Sequence, residues 1–189
     1  MKLNLGCGFR RLDGWVNVDA SPLCAPDQVV DLERLPWPWP NDGTDEVMLS
    51  HVLEHLGRTA DIYLGILGEL WRVCRAGARI TVVVPHPRHD DFLHDPTHLR
   101  PVTSEGLSLF SQRLNRQWIA QGAGNSTLGL MLGIDLEVVE TRHLLDEPWR
   151  DRVTSGEMGR DEMTHAMRSY NNVIKETTIV LRVVKPAGG

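Results

Sequence analysis

Little in this chain points to a disulfide frame, a membrane or a nucleic acid. Among 189 residues only Cys7, Cys24 and Cys74 are cysteines, and no two are spaced as CxxC. That pattern excludes a disulfide-built fold and predicts free thiols in a reducing compartment. No apolar run approaches the roughly 20 residues of a membrane span. No signal segment is expected, because residue 4 already belongs to a strand. The expectation is a cytoplasmic protein with no membrane partner. Positive charge is not in excess: 20 Lys and Arg against 25 Asp and Glu leave a formal net charge of -5. A general nucleic-acid binder would carry a basic face, so this balance weighs against nucleic acid as a partner. There is no internal repeat and no low-complexity tract. With 41% hydrophobic residues, enough for a real core, 1–189 reads as a single domain.

What is present begins with Leu3-Asn4-Leu5-Gly6-Cys7-Gly8, followed by Val16-Asn17-Val18-Asp19. A short apolar strand runs into a glycine turn, and a second strand ends on a carboxylate. This places backbone N–H groups and an acid at the mouth of a parallel sheet, where a nucleoside can bind. The dinucleotide fingerprint GxGxxG fails, because Arg11 occupies the third glycine position. Further strands are predicted at 28–31, 45–50, 78–84, 134–141 and 177–184. Leu64, Leu67, Leu70, Trp71 and Cys74 recur at helical spacing, which predicts a helix over 64–75 closed by a glycine cap at Gly77. Thr103 or Ser104 caps a second helix over about 104–115. Residues 86–101 and 120–133 read as loops, and 146–172 as a helix plus loop over one end of the sheet. Strands alternating with helices give an α/β three-layer sandwich around a mostly parallel seven-stranded sheet. Only residues 9–15 separate the first two strands, too few for an ordinary parallel crossover. The first crossover helix is therefore expected to be very short or replaced by a turn.

Four segments in order resemble a class I S-adenosylmethionine-dependent methyltransferase with a Rossmann-like fold. Asn4-Leu5-Gly6-Cys7-Gly8 is similar to that family's glycine loop. Asp19 matches its ribose-binding acid. Asp31-Leu32-Glu33-Arg34-Leu35-Pro36 is similar to the acid and turn beside the adenine. Asp45 to Leu56 is similar to the fourth strand and the segment that continues it. The opening resembles a group of short bacterial members. The resemblance covers about residues 2–85 and implies S-adenosylmethionine as cofactor, held by Asn4, Gly6, Cys7, Gly8, Asp19, Asp31, Leu32, Ser50 and His51. Where the family carries an acid two positions before the first glycine, this chain has Asn4, which cannot neutralise an ammonium group. The implied reaction is methyl transfer to O or N of a small-molecule acceptor. With no N-terminal segment to cover the substrate, residues 86–133, residues 146–172 or a second subunit of a homodimer are expected to form the lid.

Four histidines and three aspartates fall within residues 86–98, just after the fifth strand. A histidine with an ordinary pKa near 6.5 can take a proton from an acceptor during transfer. His98 is the first candidate for that catalytic role, then His86 and His94. No metal ligand set is assigned, although two or three side chains of this loop could hold a divalent ion. Two rival readings stand beside the enzyme. One is a non-catalytic S-adenosylmethionine-binding protein of the same fold. The other is a zinc hydrolase using His51-Val-Leu-Glu54-His55, which matches HxxEH; it would need both histidines on one face of an interior helix. Trp37-Pro38-Trp39-Pro40 forms either a surface apolar patch or the edge of the core, beside the adenine pocket. Trp118, Trp149, Met158, Met163, Met167 and Tyr170 serve either the core or a substrate pocket.

Overall fold

In the fifth strand Ile80, Val82 and Val84 are fully buried, whereas Arg79 is exposed and Thr81 and Val83 are half-buried. That period of two assigns one face to the core. Leu3, Leu5, Val47, Leu49, Ile179 and Leu181 lie on the same side, all at 0–1% exposure. A computed structural model describes residues 1–186. Its strands are β1 (Lys2–Leu5), β2 (Val16–Asp19), β3 (Gln28–Val29), β4 (Thr44–Ser50), β5 (Cys74–Pro85), β6 (Leu136–Leu145) and β7 (Ile174–Val183). They form one seven-stranded sheet in the order β3-β2-β1-β4-β5-β7-β6. All neighbours are parallel except β7, which runs antiparallel to both β5 and β6. This is the mostly parallel sheet that the strand pattern predicts.

Helix α1 (Ala60–Val73) joins β4 to β5 and buries Ile66, Leu67, Leu70 and Val73 in the core. Thr59 Oγ1 accepts from Ile62 N at 3.4 Å and starts it. The glycine cap expected at Gly77 is not formed. The helix stops at Val73 because Cys74 is already extended, and Gly77, with φ of +78°, instead turns a bulge inside β5. The long loop after β5 contains α2 (Asp90–Leu93). The helix expected over 104–115 is two helices, α3 (Ser104–Ser108) and α4 (Gln112–Gln121). Thr103 caps the first through Gly106 N, and Ser111 caps the second through Leu114 N. The break frees Phe110 O to accept from Leu136 N at 3.1 Å. Helix α5 (Leu128–Leu132) lies within 120–133, and α6 (Trp149–Thr154) and α7 (Arg160–Ser169) follow β6. Trp37 and Trp39 are core rather than surface, at 3% and 5% exposure. Among the described residues no helix is long and apolar enough to cross a membrane.

No helix joins β1 to β2. A turn over 6–15 takes its place on the face opposite α1, held by two buried amides. Asn4 Nδ2 donates to Arg10 O and to Asn17 Oδ1, both at 2.9 Å. Asn17 Oδ1 also accepts from Leu12 N at 2.8 Å, and Asn17 Nδ2 donates to Asp27 Oδ2 at 2.9 Å. The Asn17 amides and the Arg11 guanidinium hold the Asp27 carboxyl down at about 2.

Candidate cofactor and acceptor site

The order of strands reverses between β1 and β4, and ligands of open α/β sheets bind at the carboxyl ends of strands at such a point. A cleft of about 240 Å³ opens there, lined by Gly6, Asp19, Asp31, Leu32, His51 and His55 among others. A second cleft of about 210 Å³ shares Gly6 and adds Asn4, Cys7 and Ser50. Of the sequence-assigned cofactor residues, only Gly8 lines neither. It acts through its N–H, which donates to Asp19 Oδ2 at 2.9 Å.

Gly6 sits at φ +64°, and a Cβ there would press on both Val52 methyls, 2.8 Å from Cγ1. Only glycine meets both demands, so the backbone is bare where the clefts join. Asp19 braces the loop on one side and takes Ser21 N on Oδ1 at 2.8 Å on the other. Each carboxylate oxygen keeps a further lone pair for a ligand hydroxyl. Asp31 is exposed and turns the chain by accepting from Glu33 N at 3.0 Å. Glu33 then accepts from Gly57 N at 2.8 Å, which ties this turn to the Leu56 wall of the cleft. Leu32 is buried, and its carbonyl accepts from Trp37 Nε1 at 3.0 Å. The amide nitrogen of Asn4 is spent on the turn over 6–15, as described above. Burial, then the neighbouring Asp19 charge, pushes the Cys7 thiol up.

His51 directly follows β4 at φ +55°, a conformation costly for a non-glycine residue. Its Nε2 meets Glu176 Oε2 at 2.9 Å, which links the two clefts to β7. No local pattern could reveal that partner, 125 residues away. The HxxEH segment does not lie on an interior helix: His51 follows a strand, and Leu53–His55 is a single 3-10 turn.

The three catalytic candidates are dispersed. His94 is exposed at the end of α2. His98 is enclosed, with its side chain 8% exposed, stacked on Phe92 and donating through Nδ1 to Phe92 O at 2.8 Å. His86 lines a polar pocket of about 420 Å³ with Arg88, Ser104, Glu105, His143 and Thr177. Burial, then the charge of Arg88, pulls His86 down to about 4. Its Nδ1 accepts from Arg88 N at 3.2 Å, so the neutral ring carries its proton on Nε2. His143 was not singled out from the sequence. Its Nδ1 pairs with Thr177 Oγ1 at 3.1 Å, and burial lowers its pKa. Met167 also lines this pocket, whereas Trp149 stacks on Tyr170 and Met158 is buried.

The depressed His86 pKa has a stability consequence. Between its ordinary 6.5 and about 4 the unfolded chain binds a proton that the folded chain refuses. Folding stability therefore falls as pH drops through that window. His86→Gln should lose less stability than wild type between pH 7 and 4.5, read as the shift in urea midpoint. Equal shifts would show that His86 carries no such penalty.

No family model matches the chain, and no curated protein matches it. Solved structures do. An S-adenosylmethionine-dependent methyltransferase from Archaeoglobus fulgidus matches with a TM-score of 0.63 at 17% identity, over 96% of this chain and 85% of its own. A Burkholderia thailandensis 1,6-didemethyltoxoflavin-N1-methyltransferase, solved with its substrate and S-adenosylhomocysteine, matches with a TM-score of 0.52 at 13% identity, over 97% and 71%. The [4+2]-cyclase SpnF matches with a TM-score of 0.55 at 15% identity, over 99% and 75%. At these identities the likeness is one of fold: the chain has the Rossmann-like methyltransferase fold.

Proposed function

We propose that this protein is an S-adenosylmethionine-dependent methyltransferase acting on an O or N atom of a small-molecule acceptor. The observation that carries this reading is the cleft at the β1/β4 switch point. Its glycine is sterically obligatory, and its two carboxylates, Asp19 and Asp31, end or follow adjacent strands. The residues fit the cofactor: bare backbone at Gly6, an acceptor for two hydroxyls at Asp19, and apolar walls at Leu32, Val52 and Leu56. Bound there, S-adenosylmethionine supplies an electrophilic methyl group on a sulfonium. Positioning the two reactants is worth up to roughly 7–11 kcal/mol in favourable cases.

The acceptor binds in the polar pocket lined by His86 and His143. His86 Nε2 donates a hydrogen bond to it. His143 Nε2, which has no partner among the described residues, takes the proton that an O or N nucleophile releases. The lowered pKa of His143 keeps it neutral and ready at pH 7.

A second reading, cofactor binding without methyl transfer, is favoured by Asn4, whose amide is occupied by the turn over 6–15 and offers no charge to an ammonium group. Isothermal titration with S-adenosylmethionine and S-adenosylhomocysteine tests both. Micromolar binding of either supports the site, and turnover with an acceptor panel then separates enzyme from binder. Folded protein that binds neither would sink both readings. Asp19→Ala should weaken both ligands by about 1.5–3 kcal/mol, the range for lost charge-assisted hydrogen bonds. Unchanged affinity in a folded Asp19→Ala protein would remove the ribose from Asp19.

A further inference from the structure

Glu54 is fully buried at 0% exposure, yet neither of its carboxylate oxygens has a hydrogen-bond partner. Leaving a buried acid unpaired is costly, so such an atom calls for an explanation. One carboxylate oxygen of Glu54, one nitrogen of His55 and one nitrogen of His98 all lie within 4.8 Å of one another. The elements that bring them together are the 3-10 turn after β4 and the loop after α2, locked by a hydrogen bond from Leu99 N to Glu54 O at 2.8 Å.

The surroundings prepare both imidazoles as ligands. His98 donates Nδ1–H to Phe92 O at 2.8 Å, which leaves the Nε2 lone pair free. Thr97 Oγ1 donates to Asp95 Oδ1 at 2.6 Å and therefore has only a lone pair to offer His55 Nδ1, 2.9 Å away. His55 Nδ1 is thus also protonated, and its Nε2 is free. His98 thus has a carbonyl behind Nδ1, and His55 a hydroxyl that is itself bonded to the Asp95 carboxylate, each with Nε2 left bare; an acceptor behind the far ring nitrogen is the outer shell usual for metal-binding histidines.

We propose that Glu54, His55 and His98 bind one divalent transition-metal ion of the zinc type. Two imidazoles and a carboxylate are a borderline-soft ligand set, suited to zinc and poorly suited to magnesium or calcium. Binding draws the three ligand atoms to about 3.4 Å apart, the spacing that metal–ligand bonds near 2.1 Å impose in a tetrahedron. The two orphaned carboxylate oxygens then gain a cation. This set differs from the HxxEH arrangement: Glu54 is a ligand rather than a base, and His98 replaces His51, whose Nε2 is held by Glu176 and whose Nδ1 stands 3.7 Å from Glu54 Oε1, beyond hydrogen-bond reach. Three protein ligands leave a fourth position open, and His55 lines the cofactor cleft. The proposal does not depend on the methyltransferase reading, because it concerns binding of the ion alone.

The test is titration of chelator-treated full-length protein with Zn²⁺, and separately with Co²⁺ as a spectroscopic probe. Wild type should bind one ion per chain, and Co²⁺ should give the intense visible absorption of a four-coordinate site. Glu54→Gln, which keeps the side-chain volume, and His98→Ala should each weaken Zn²⁺ binding by at least roughly 100-fold. His94→Ala, exposed in the same loop, should bind as wild type does. Circular dichroism and melting confirm that each variant is folded. Absence of stoichiometric binding, or binding that Glu54→Gln and His98→Ala leave intact, would overturn the proposal. So would a wild-type Co²⁺ spectrum typical of an octahedral aquo ion, a result that needs no variant.

Discussion

Gly6→Ala should strongly weaken binding of S-adenosylmethionine while leaving a folded protein. The residue is held at φ +64°, where a side chain costs about 1–2 kcal/mol. An added Cβ also enters the space of the Val52 methyls, an overpacking term of about 1–3 kcal/mol. The expected loss of stability is therefore about 2–5 kcal/mol, measurable by urea denaturation. The effect on binding is larger in kind, because Gly6 is the residue that both clefts share. The loop can relieve the clash only by moving away from Val52, and that displaces Gly8 N and the Asp19 carboxylate bonded to it. A misplacement of about 1 Å in a positioned group costs on the order of 100-fold. Val52→Ala in the same chain removes the steric part and not the dihedral part. The double variant should then be more stable than the sum of the single variants implies, with binding still impaired. Binding of wild-type strength in Gly6→Ala would show that the glycine loop is not the cradle.

The parts of this site that the sequence announces are those built from local chemistry. Gly6, Asp19 and Asp31 each end or follow a short apolar strand, and parallel pairing of adjacent strands was enough to gather them at one edge. The missing first helix was also legible, since residues 9–15 cannot supply a crossover. Its replacement was not, because the Asn4–Asn17–Asp27 hydrogen bonds join residues that no periodicity relates. The split between α3 and α4 escaped a helical pattern that continues across it, because Ser111 can equally extend a helix or cap a new one. The histidine-rich stretch showed its composition but not its division of labour. One loop sends His86 to β6 and β7, leaves His94 in solvent, and folds His98 back onto Glu54. That division follows from tertiary contacts with residues 54, 143 and 175, all remote in the chain.

Glu69→Ala should be strongly destabilising for a change at a single charged residue. Glu69 is 9% exposed on α1, and its carboxylate is divided among three donors. Oε2 accepts from Trp37 N at 2.6 Å and from Arg72 NH2 at 2.7 Å, while Oε1 accepts from Arg72 Nε at 2.6 Å. Arg72 in turn donates to Trp37 O, Trp39 O and Asn41 Oδ1, so one ion pair clamps the Trp37-Pro38-Trp39 segment to the helix. Burial alone would raise the Glu69 pKa, but Arg72 and the Trp37 N–H outweigh it and hold the carboxyl below its usual 4.5. Removing the carboxylate strands a guanidinium that is only 27% exposed and an amide N–H in the core. Breaking a buried pair costs about 3–5 kcal/mol, and partial exposure of Arg72 reduces the expected loss to about 2–4 kcal/mol. The sign of the pH dependence is fixed by the depressed pKa. The contribution is present above 4.5 and is lost as pH falls through the lower folded value, so the gap between wild type and variant should close on acidification. Urea titrations at neutral and acid pH read both quantities. Cofactor affinity should fall as well, because Trp37 Nε1 holds the carbonyl of Leu32 in the cleft wall. A variant within about 0.5 kcal/mol of wild type at neutral pH would mean that the clamp contributes no more than an ordinary surface ion pair.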